Sequence, residues 1–403
     1  MGTMGAMGDA MDDGMADAAS GNVPASLPAS SGDCYALPLS DEERAYWVAF
    51  SRIRGIGPAS FKKLLNSFHG ELAAAWKAGR AELLYAGLPA RLVESLLRQR
   101  SLIDPEAELA RLQDLDIEAL TLRDQLYPPA LRRLSDAPPV LYLRGQLSPG
   151  DHCALAIVGT RRMSAYGKLA TERLASELAR HGVTIVSGLA LGVDTAAHTA
   201  ALAAGGRTIA VLACGLDQAY PGSNVQLARR IATSGQGALL SEYPPGVYPD
   251  SGNFPARNRI IAGLALGVLV TEAPQKSGAL ITARYALEAG RDVFAVPGNM
   301  FSRGSEGVNR LIQDGAHLIT GVQDILDALN LFTVSQCLEL QEVLPDDPLE
   351  RQLLALLNHE PRHIDELIRS SGLPAQSVAA TLLTLELKGM IKQVGAMYYV
   401  LAR

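Results

Sequence analysis

The chain has 403 residues, a length that suggests two or three domains, and its 48% hydrophobic content is enough for a sizeable core. The formal net charge of −6 excludes a protein that is basic throughout, so a nucleic-acid site must be a local basic patch. The longest strongly apolar run, residues 260–270, is too short to span a bilayer, and the first residues lack the basic and apolar regions of a signal peptide. We therefore expect a cytoplasmic protein with no membrane partner.

The first forty residues differ in composition from the rest of the chain. They are rich in Met, Gly, Ala, Asp, Ser and Pro, contain five acidic residues and no Lys or Arg, and show no hydrophobic period. This pattern predicts a disordered tail over residues 1–40. The four cysteines of the chain are widely spaced and form neither a CxxC motif nor a Cys/His cluster. Their spacing argues against a metal site and against a disulfide framework, and fits a reducing cytoplasm.

Residues 41–120 are predicted to form a small helical module of the SAM or helix-hairpin-helix type. The helical segments include AYWVAFSRI, ASFKKLLNSF, ELAAAWKA and ARLVESLLRQR. Gly55 and Gly57 lie in a tight turn between the first two segments, where backbone N–H groups could contact a phosphate. Alternatively, the two glycines only cap and turn between packed helices, and the sequence leaves both readings open. Residues 121–150 form a proline-rich connector, and its segment VLYLRG is predicted as a strand.

From residue 151 to residue 330 the pattern alternates between short apolar strands and helices. The predicted strands are CALAIVGT, TIVSGLA, TIAVLACG, GALLSEY, GVLVTEA, DVFAVPG and HLIT. Strands that alternate with helices need crossover connections, which predicts an extended Rossmann-like α/β domain with a mostly parallel sheet.

The C-terminal part of the chain is predicted to be a separate domain. Residues 331–347 form an acidic linker, and residues 348–403 contain three helices followed by a hairpin, the pattern of a winged helix. The helix that would read DNA, residues 374–389, has Lys388 as its single basic residue. This composition favours a protein-contact or vestigial role over DNA reading.

Unusual polar clusters follow the predicted strands of the α/β domain. Because the carboxyl ends of parallel strands meet at one sheet edge, we expect these loops to converge there. Cations interleaved with aromatic residues, such as Phe254 and Tyr248, suit a single-stranded nucleic acid. Thr160 and the helix that follows it are expected to hold an anion, and Arg303 is a further candidate cation. The candidate DNA-binding residues are Gly159, Thr160, Arg161, Arg162, Ser187, Arg257, Asn258, Arg259, Lys276 and Ser277.

No enzyme signature accompanies these loops. Asp194 and His198 lie one helical turn apart, but the GxSxG motif of a serine nucleophile is absent, so we favour Asp194 as a helix N-cap and His198 as a packing residue. The sequence has no P-loop, no GxGxxG between a strand and a helix, and no carboxylate pair for magnesium. We expect no catalytic residue, no metal and no cofactor. Two alternatives remain open, namely a nucleotide-hydrolysing enzyme at the same edge and a pure scaffold.

The strand-end loops closely resemble the DprA/Smf family of DNA-processing proteins. The matching stretches are IVGTRRMSAYG, IVSGLALGVDTAAHTAAL, IAVLACGLDQAYPGSN, LLSEYPPG, NFPARNRIIAGL, VTEAPQKSGALITARYALEAGRDVFAVPG and GVNRLIQDGAHLI. The resemblance implies a homodimer that protects incoming single-stranded DNA during natural transformation and loads the RecA recombinase onto it. It also implies that Arg161 and Lys276 are the principal DNA-contacting cations. This family often has a further basic residue where Gln218 and Tyr248 stand here, which implies a less cationic surface.

Overall fold

The structure, a computed structural model, describes residues 39–331, 348–357, 362–387, 391–395 and 397–401. The predicted tail, apart from residues 39 and 40, and the predicted linker, apart from residue 331, lie outside the described residues.

Six helices open the described chain. They are α1 (Asp41–Arg52), α2 (Pro58–Ser67), α3 (Leu72–Lys77), α4 (Arg80–Tyr85), α5 (Ala90–Arg100) and α6 (Pro105–Asp114). Helix α1 begins at Asp41 because the Ser40 hydroxyl accepts the Glu43 N–H at 3.2 Å, with three acidic residues in the first turn. Trp47, Phe50 and Phe61 are buried among these helices and stack on one another or on Trp76. Aromatic packing therefore holds the small module together.

The middle of the chain alternates strands and helices. In chain order it contains β1 (Glu118–Thr121), α7 (Pro129–Arg132), β2 (Val140–Gly145), β3 (Ala154–Val158), α8 (Ala165–Arg180), β4 (Thr184–Ser187), α9 (Val193–Ala203), β5 (Thr208–Val211), α10 (Val225–Thr233), β6 (Gly237–Ser241), α11 (Asn253–Leu264), β7 (Gly267–Val270), α12 (Ala279–Glu288), β8 (Asp292–Ala295), α13 (Glu306–Gln313), β9 (His317–Leu318) and α14 (Val322–Ala328).

These strands form one nine-stranded sheet in the order β1-β2-β6-β5-β4-β3-β7-β8-β9. The seven strands from β3 to β9 are parallel, whereas β2 is antiparallel to both β1 and β6. Helices α8, α9 and α14 pack on one face and α11 and α12 on the other, so the central strands are buried on both faces. The predicted Rossmann-like fold with seven strands between residues 151 and 330 is confirmed.

Two features of this region were not predicted. Strand β1, with the sequence EALT, has only four residues, and its pairing with β2 is what identifies it as a strand. Cys153 is disulfide-bonded, so the expectation of no disulfide is wrong for this residue, because spacing along the chain does not determine which thiols meet in space. Cys214 is a buried free thiol.

The C-terminal domain contains α15 (Pro348–Leu356), β10 (Arg362–His363), α16 (Ile364–Ser371), α17 (Ala375–Leu387), β11 (Ile391–Gly395) and β12 (Tyr398–Leu401). The three strands pair in the antiparallel order β10-β12-β11 behind a core that includes Leu353, Leu367 and Leu382. The winged-helix prediction is confirmed, with β10 as an additional short strand. In the part of the chain that the structure describes, no helix has both the length and the apolarity of a membrane span.

Candidate nucleic-acid interface

A cleft of about 420 Å³ opens at the carboxyl edge of the sheet. From β3 the strand order runs through β4, β5 and β6 on one side and through β7, β8 and β9 on the other. Crossover connections therefore leave β3 and β7 in opposite directions, and the loops that follow these strands separate at this switch point. The cleft is lined by Val158, Gly159, Thr160, Arg161, Arg162, Ala190, Asp194, Phe254, Pro255, Arg257, Asn258, Ile261, Pro274, Lys276, Ser277, Gly278, Ala279, Ile281 and Thr282. Eight of the ten predicted site residues are thus brought together.

Three cations at the cleft are accessible to solvent. Arg161 and Arg162 follow β3, Lys276 follows β7, and all three side chains are exposed. None of them forms an ion pair with any residue that the structure describes. Positive charge is therefore available here to an anionic ligand.

Aromatic rings lie beside these cations. The Arg161 guanidinium lies over the Phe254 ring, 5.2 Å from the ring centroid, and the Tyr220 ring lies 5.7 Å from Phe254. Tyr220 and Tyr248 are both largely exposed. Tyr220 was not singled out in the sequence analysis, although an aromatic residue in a loop after a predicted strand was a usable signal.

The buried carboxylate of Glu272 holds the loop after β3 in place. Its Oε2 atom accepts the Ser164 N–H at 2.8 Å and the Ser164 hydroxyl at 3.0 Å. This carboxylate therefore lies beside Ser164, the N-cap residue of α8, and the expectation that this helix end and Thr160 hold an anion stays a prediction. The Thr160 hydroxyl accepts the Arg162 N–H at 3.1 Å within the loop.

Glycine is required at two positions beneath this loop. A Cβ atom at Gly159 would lie 2.5 Å from Cγ2 of Val193, and one at Gly167 would lie 1.9 Å from Oε2 of Glu272. Both distances are far below van der Waals contact, so any side chain would displace the loop or the carboxylate.

Arg257 is part of the cleft floor, not of its open surface. It is 4% exposed, and its Nη1 donates to the Gly188 carbonyl at 2.7 Å and to the Val211 carbonyl. Burial lowers the pKa of Arg257 to about 10, although the nearby carboxylate of Asp194 acts to raise it. Arg257 therefore joins the ends of β4 and β5 from within.

Two predicted site residues lie outside the cleft. The Ser187 hydroxyl is buried and donates to the Ile157 carbonyl at 2.6 Å. The Arg259 guanidinium forms ion pairs with Glu242 at 2.5 Å and with Asp136 at 3.3 Å. Both side chains are thus occupied by internal contacts.

Two polar residues of the lining make only weak contacts within the protein. Asn258 Nδ2 donates to the Gly278 carbonyl, and Ser277 accepts the Ala279 N–H, each at 3.3 Å. Neither contact is short, so both side chains keep hydrogen-bonding capacity toward the cleft.

Asp194 and His198 have structural partners, as favoured from the sequence. Asp194 Oδ2 accepts the N–H groups of Gly188 and Ala190 at 3.1 and 3.3 Å. The N-cap of α9 is Gly192, so the prediction of Asp194 as the N-cap is wrong. His198 is fully buried with its Nδ1 2.7 Å from the Thr208 hydroxyl, and burial lowers its pKa to about 3. Among the described residues, no group of three His, Cys, Asp or Glu side chains is placed to hold a metal ion.

An open, mostly parallel sheet with a cationic cleft at its switch point, followed by a winged helix, defines a class of multidomain Rossmann-like proteins. Within this class, residues 118–330 match the family model of DNA recombination-mediator protein A, and residues 341–397 match that of the DprA winged helix domain. The chain belongs to the DprA/Smf family of DNA-processing proteins.

Individual relatives agree with this assignment. Protein Smf of Synechocystis is 38% identical over 398 residues, covering 90% of this chain and 99% of the relative. DNA processing protein DprA of Streptococcus pneumoniae is 47% identical over 208 residues, covering 52% of this chain and 73% of the relative. The crystal structure of the pneumococcal protein superposes with a TM-score of 0.62 at 36% identity, covering 72% of this chain and 98% of that chain.

Proposed function

We propose that this protein binds single-stranded DNA in the cleft, without sequence preference and without chemistry on the DNA. The observation that carries the proposal is that two exposed cations, Arg161 and Lys276, line the same cleft as Phe254 and form no ion pair with any described residue. Cations neutralise phosphates, and flat rings stack on bases that a duplex would keep paired.

The composition of the cleft supports binding that does not depend on sequence. Stacking on Phe254 in the cleft, or on the neighbouring Tyr220, suits any base, because every base has a flat face. Polar side chains that could read the edge of a base are few, because Thr160, Asn258 and Ser277 are the lining amide and hydroxyl side chains that are not fully buried.

The titratable groups near the cleft support binding without catalysis. Asp194, His198 and Glu272 are buried and hydrogen-bonded to backbone groups or hydroxyls of the protein itself. A general base must reach the proton that it removes, and each of these three groups already has hydrogen-bond partners within the protein.

We further infer that the protein acts as a homodimer in the cytoplasm and transfers bound single strands to RecA. The support for this inference is membership of a family whose model is named for recombination mediation. Size measurement in solution and RecA filament formation on DNA that is first coated with this protein would test it.

The test of the cleft uses Arg161→Ala, Lys276→Ala and the double variant. Each single variant should weaken binding of unrelated single-stranded oligonucleotides about equally, and should flatten the plot of log affinity against log salt by about 0.7. The double variant should lose most of its binding while its Tm stays unchanged, because exposed cations contribute little to stability. Arg180→Ala, an exposed arginine at the far end of α8, is the matched control. Wild-type affinity of the double variant for oligo-dT would show that the cleft is not the DNA site, and nucleotide turnover by the purified protein would favour the hydrolase alternative.

A further inference from the structure

The N-terminal helices contain an internal repeat. Helices α1 and α2 are joined by residues 53–57, hereafter hairpin 1, and helices α4 and α5 by residues 86–89, hereafter hairpin 2. Gly55 and Gly87 have positive φ angles of 96° and 82°, and each precedes a buried aliphatic residue. Hairpin 1 reads Gly-Ile-Gly-Pro and hairpin 2 reads Gly-Leu-Pro, so the same turn chemistry occurs twice.

Each hairpin packs against the second helix of the other unit. A Cβ at Gly55 would lie 3.1 Å from Leu92 on α5, and the Arg54 N–H donates to Gln99 on α5 at 3.0 Å. In return, the Gly87 carbonyl accepts from Lys63 on α2 at 2.8 Å. The two units therefore face each other, with each hairpin against a helix of the other unit.

The hairpin and the second helix of each unit are basic, although the protein as a whole is acidic. Residues 53–67 and 86–100 together contain six Lys or Arg residues and one acidic residue, a net charge of +5 in a chain of −6. Arg54, Lys62, Arg91 and Arg98 are exposed and form no ion pair with any described residue. Charge of this density in an acidic protein indicates a polyanionic ligand.

Hairpin 1 lies near the same sheet edge as the cleft. Arg52, the last residue of α1, donates to the Pro245 carbonyl at 3.0 Å, in the loop that follows β6. Hairpin 1 begins at the next residue. Strand β6 is three positions from β3 in the sheet, which is about 14 Å at the usual strand spacing. Two exposed tyrosines lie in loops between hairpin 1 and the cleft, namely Tyr220 after β5 and Tyr248 after β6.

We infer that the hairpin repeat binds the sugar–phosphate backbone of duplex DNA, so that the protein holds a junction between double- and single-stranded DNA. This inference rests on the proposed function, because the single strand beyond the junction would enter the cleft. A duplex presents two sugar–phosphate backbones, one for each hairpin, whereas a single strand presents one. Contacts to phosphates position the duplex without reading its sequence.

The experiment compares the triple variant Arg54→Ala/Lys62→Ala/Arg91→Ala with the control Arg180→Ala/Arg229→Ala/Arg230→Ala, which removes the same charge from exposed positions on α8 and α10. Fluorescence anisotropy gives the affinity of each full-length protein for oligo-dT, for a blunt duplex and for a duplex with a single-stranded tail. The triple variant should bind the tailed duplex at least tenfold more weakly, and its salt slope should fall by about 0.9 for each lost phosphate contact. Its affinity for oligo-dT should stay within twofold of wild type, and the control should match wild type on all three probes.

Two results would overturn the inference. Equal binding of the tailed duplex by the triple variant and the control would show that the repeat does not contact DNA. An equal loss on oligo-dT and on the tailed duplex would assign these cations to the single strand. Failure of the proposed function is seen separately, because it appears as unchanged oligo-dT binding in the Arg161 and Lys276 variants.

Discussion

Replacement of Arg257 by alanine distinguishes a cation that binds DNA from one that holds the fold together. The sequence placed Arg257 and Arg161 in the same candidate set, but Arg257 is 4% exposed and Arg161 is exposed. Arg257→Ala removes the donor to the Gly188 and Val211 carbonyls and a positive charge that acts on the buried carboxylate of Asp194. Arg161→Ala removes a side chain that rests on the Phe254 ring and is otherwise in solvent.

The expected cost of Arg257→Ala follows from this environment. Removal of one partner from a buried charged network costs about 3–5 kcal/mol, because the remaining groups stay desolvated. For a domain of this size, that loss lowers Tm by about 6–20 °C. Arg161→Ala should change the free energy of unfolding by less than about 1 kcal/mol.

The assay combines thermal unfolding with oligo-dT binding at a temperature at which both variants are folded. We expect a large decrease of Tm and an unchanged salt slope for Arg257→Ala, and the reverse for Arg161→Ala. Wild-type stability of Arg257→Ala together with a salt slope flattened by about 0.7 would refute the structural assignment and return Arg257 to the DNA contacts.

Two further predictions concern other parts of the chain. Burial lowers the pKa of His198 from 6.5 to about 3 in the folded state. Between these two pH values the unfolded state takes up a proton at His198 and the folded state does not. The free energy of unfolding should therefore fall by up to about 1.4 kcal/mol for each pH unit as the pH decreases from 6.5 toward 3. Urea unfolding between pH 7 and pH 4 should show this dependence in wild type and much less of it in His198→Gln; an identical dependence in both would point to other groups. Deletion of residues 340–403 should leave oligo-dT affinity within about twofold of wild type, since residues 374–389 have one basic residue; loss of most affinity would place the DNA site on the winged helix.

The sequence predicted the sheet better than the site, for a physical reason. Strands such as β3 and β7 are buried on both faces, so they appear as continuous apolar runs between helices. Strand β1 has only four residues, and its position depends on its pairing with β2, which no local pattern records.

The sequences of the loops after the strands predicted where the cations lie. They did not predict which cations are exposed to solvent and which have partners inside the protein. Arg257 carried a signal that was not used: Ile260, Ile261 and Leu264 follow it at helical spacing, and all four residues are buried on one face of α11. Ser187 and Arg259 had no comparable signal, because their partners Ile157, Asp136 and Glu242 are distant in sequence.

The order of strands in the sheet also constrains how the chain folds during synthesis. Strands β1 and β2 leave the ribosome first, but β2 pairs with β6, whose residues begin at Gly237. The β1–β2 pair therefore lacks its partner strand β6 until about ninety further residues have been made. Until then, only the preceding helices can bury its apolar side chains. The cleft is completed later still, when β7 and α12 join β3 from the opposite side. A nascent chain consequently acquires its DNA site only after most of the sheet has formed.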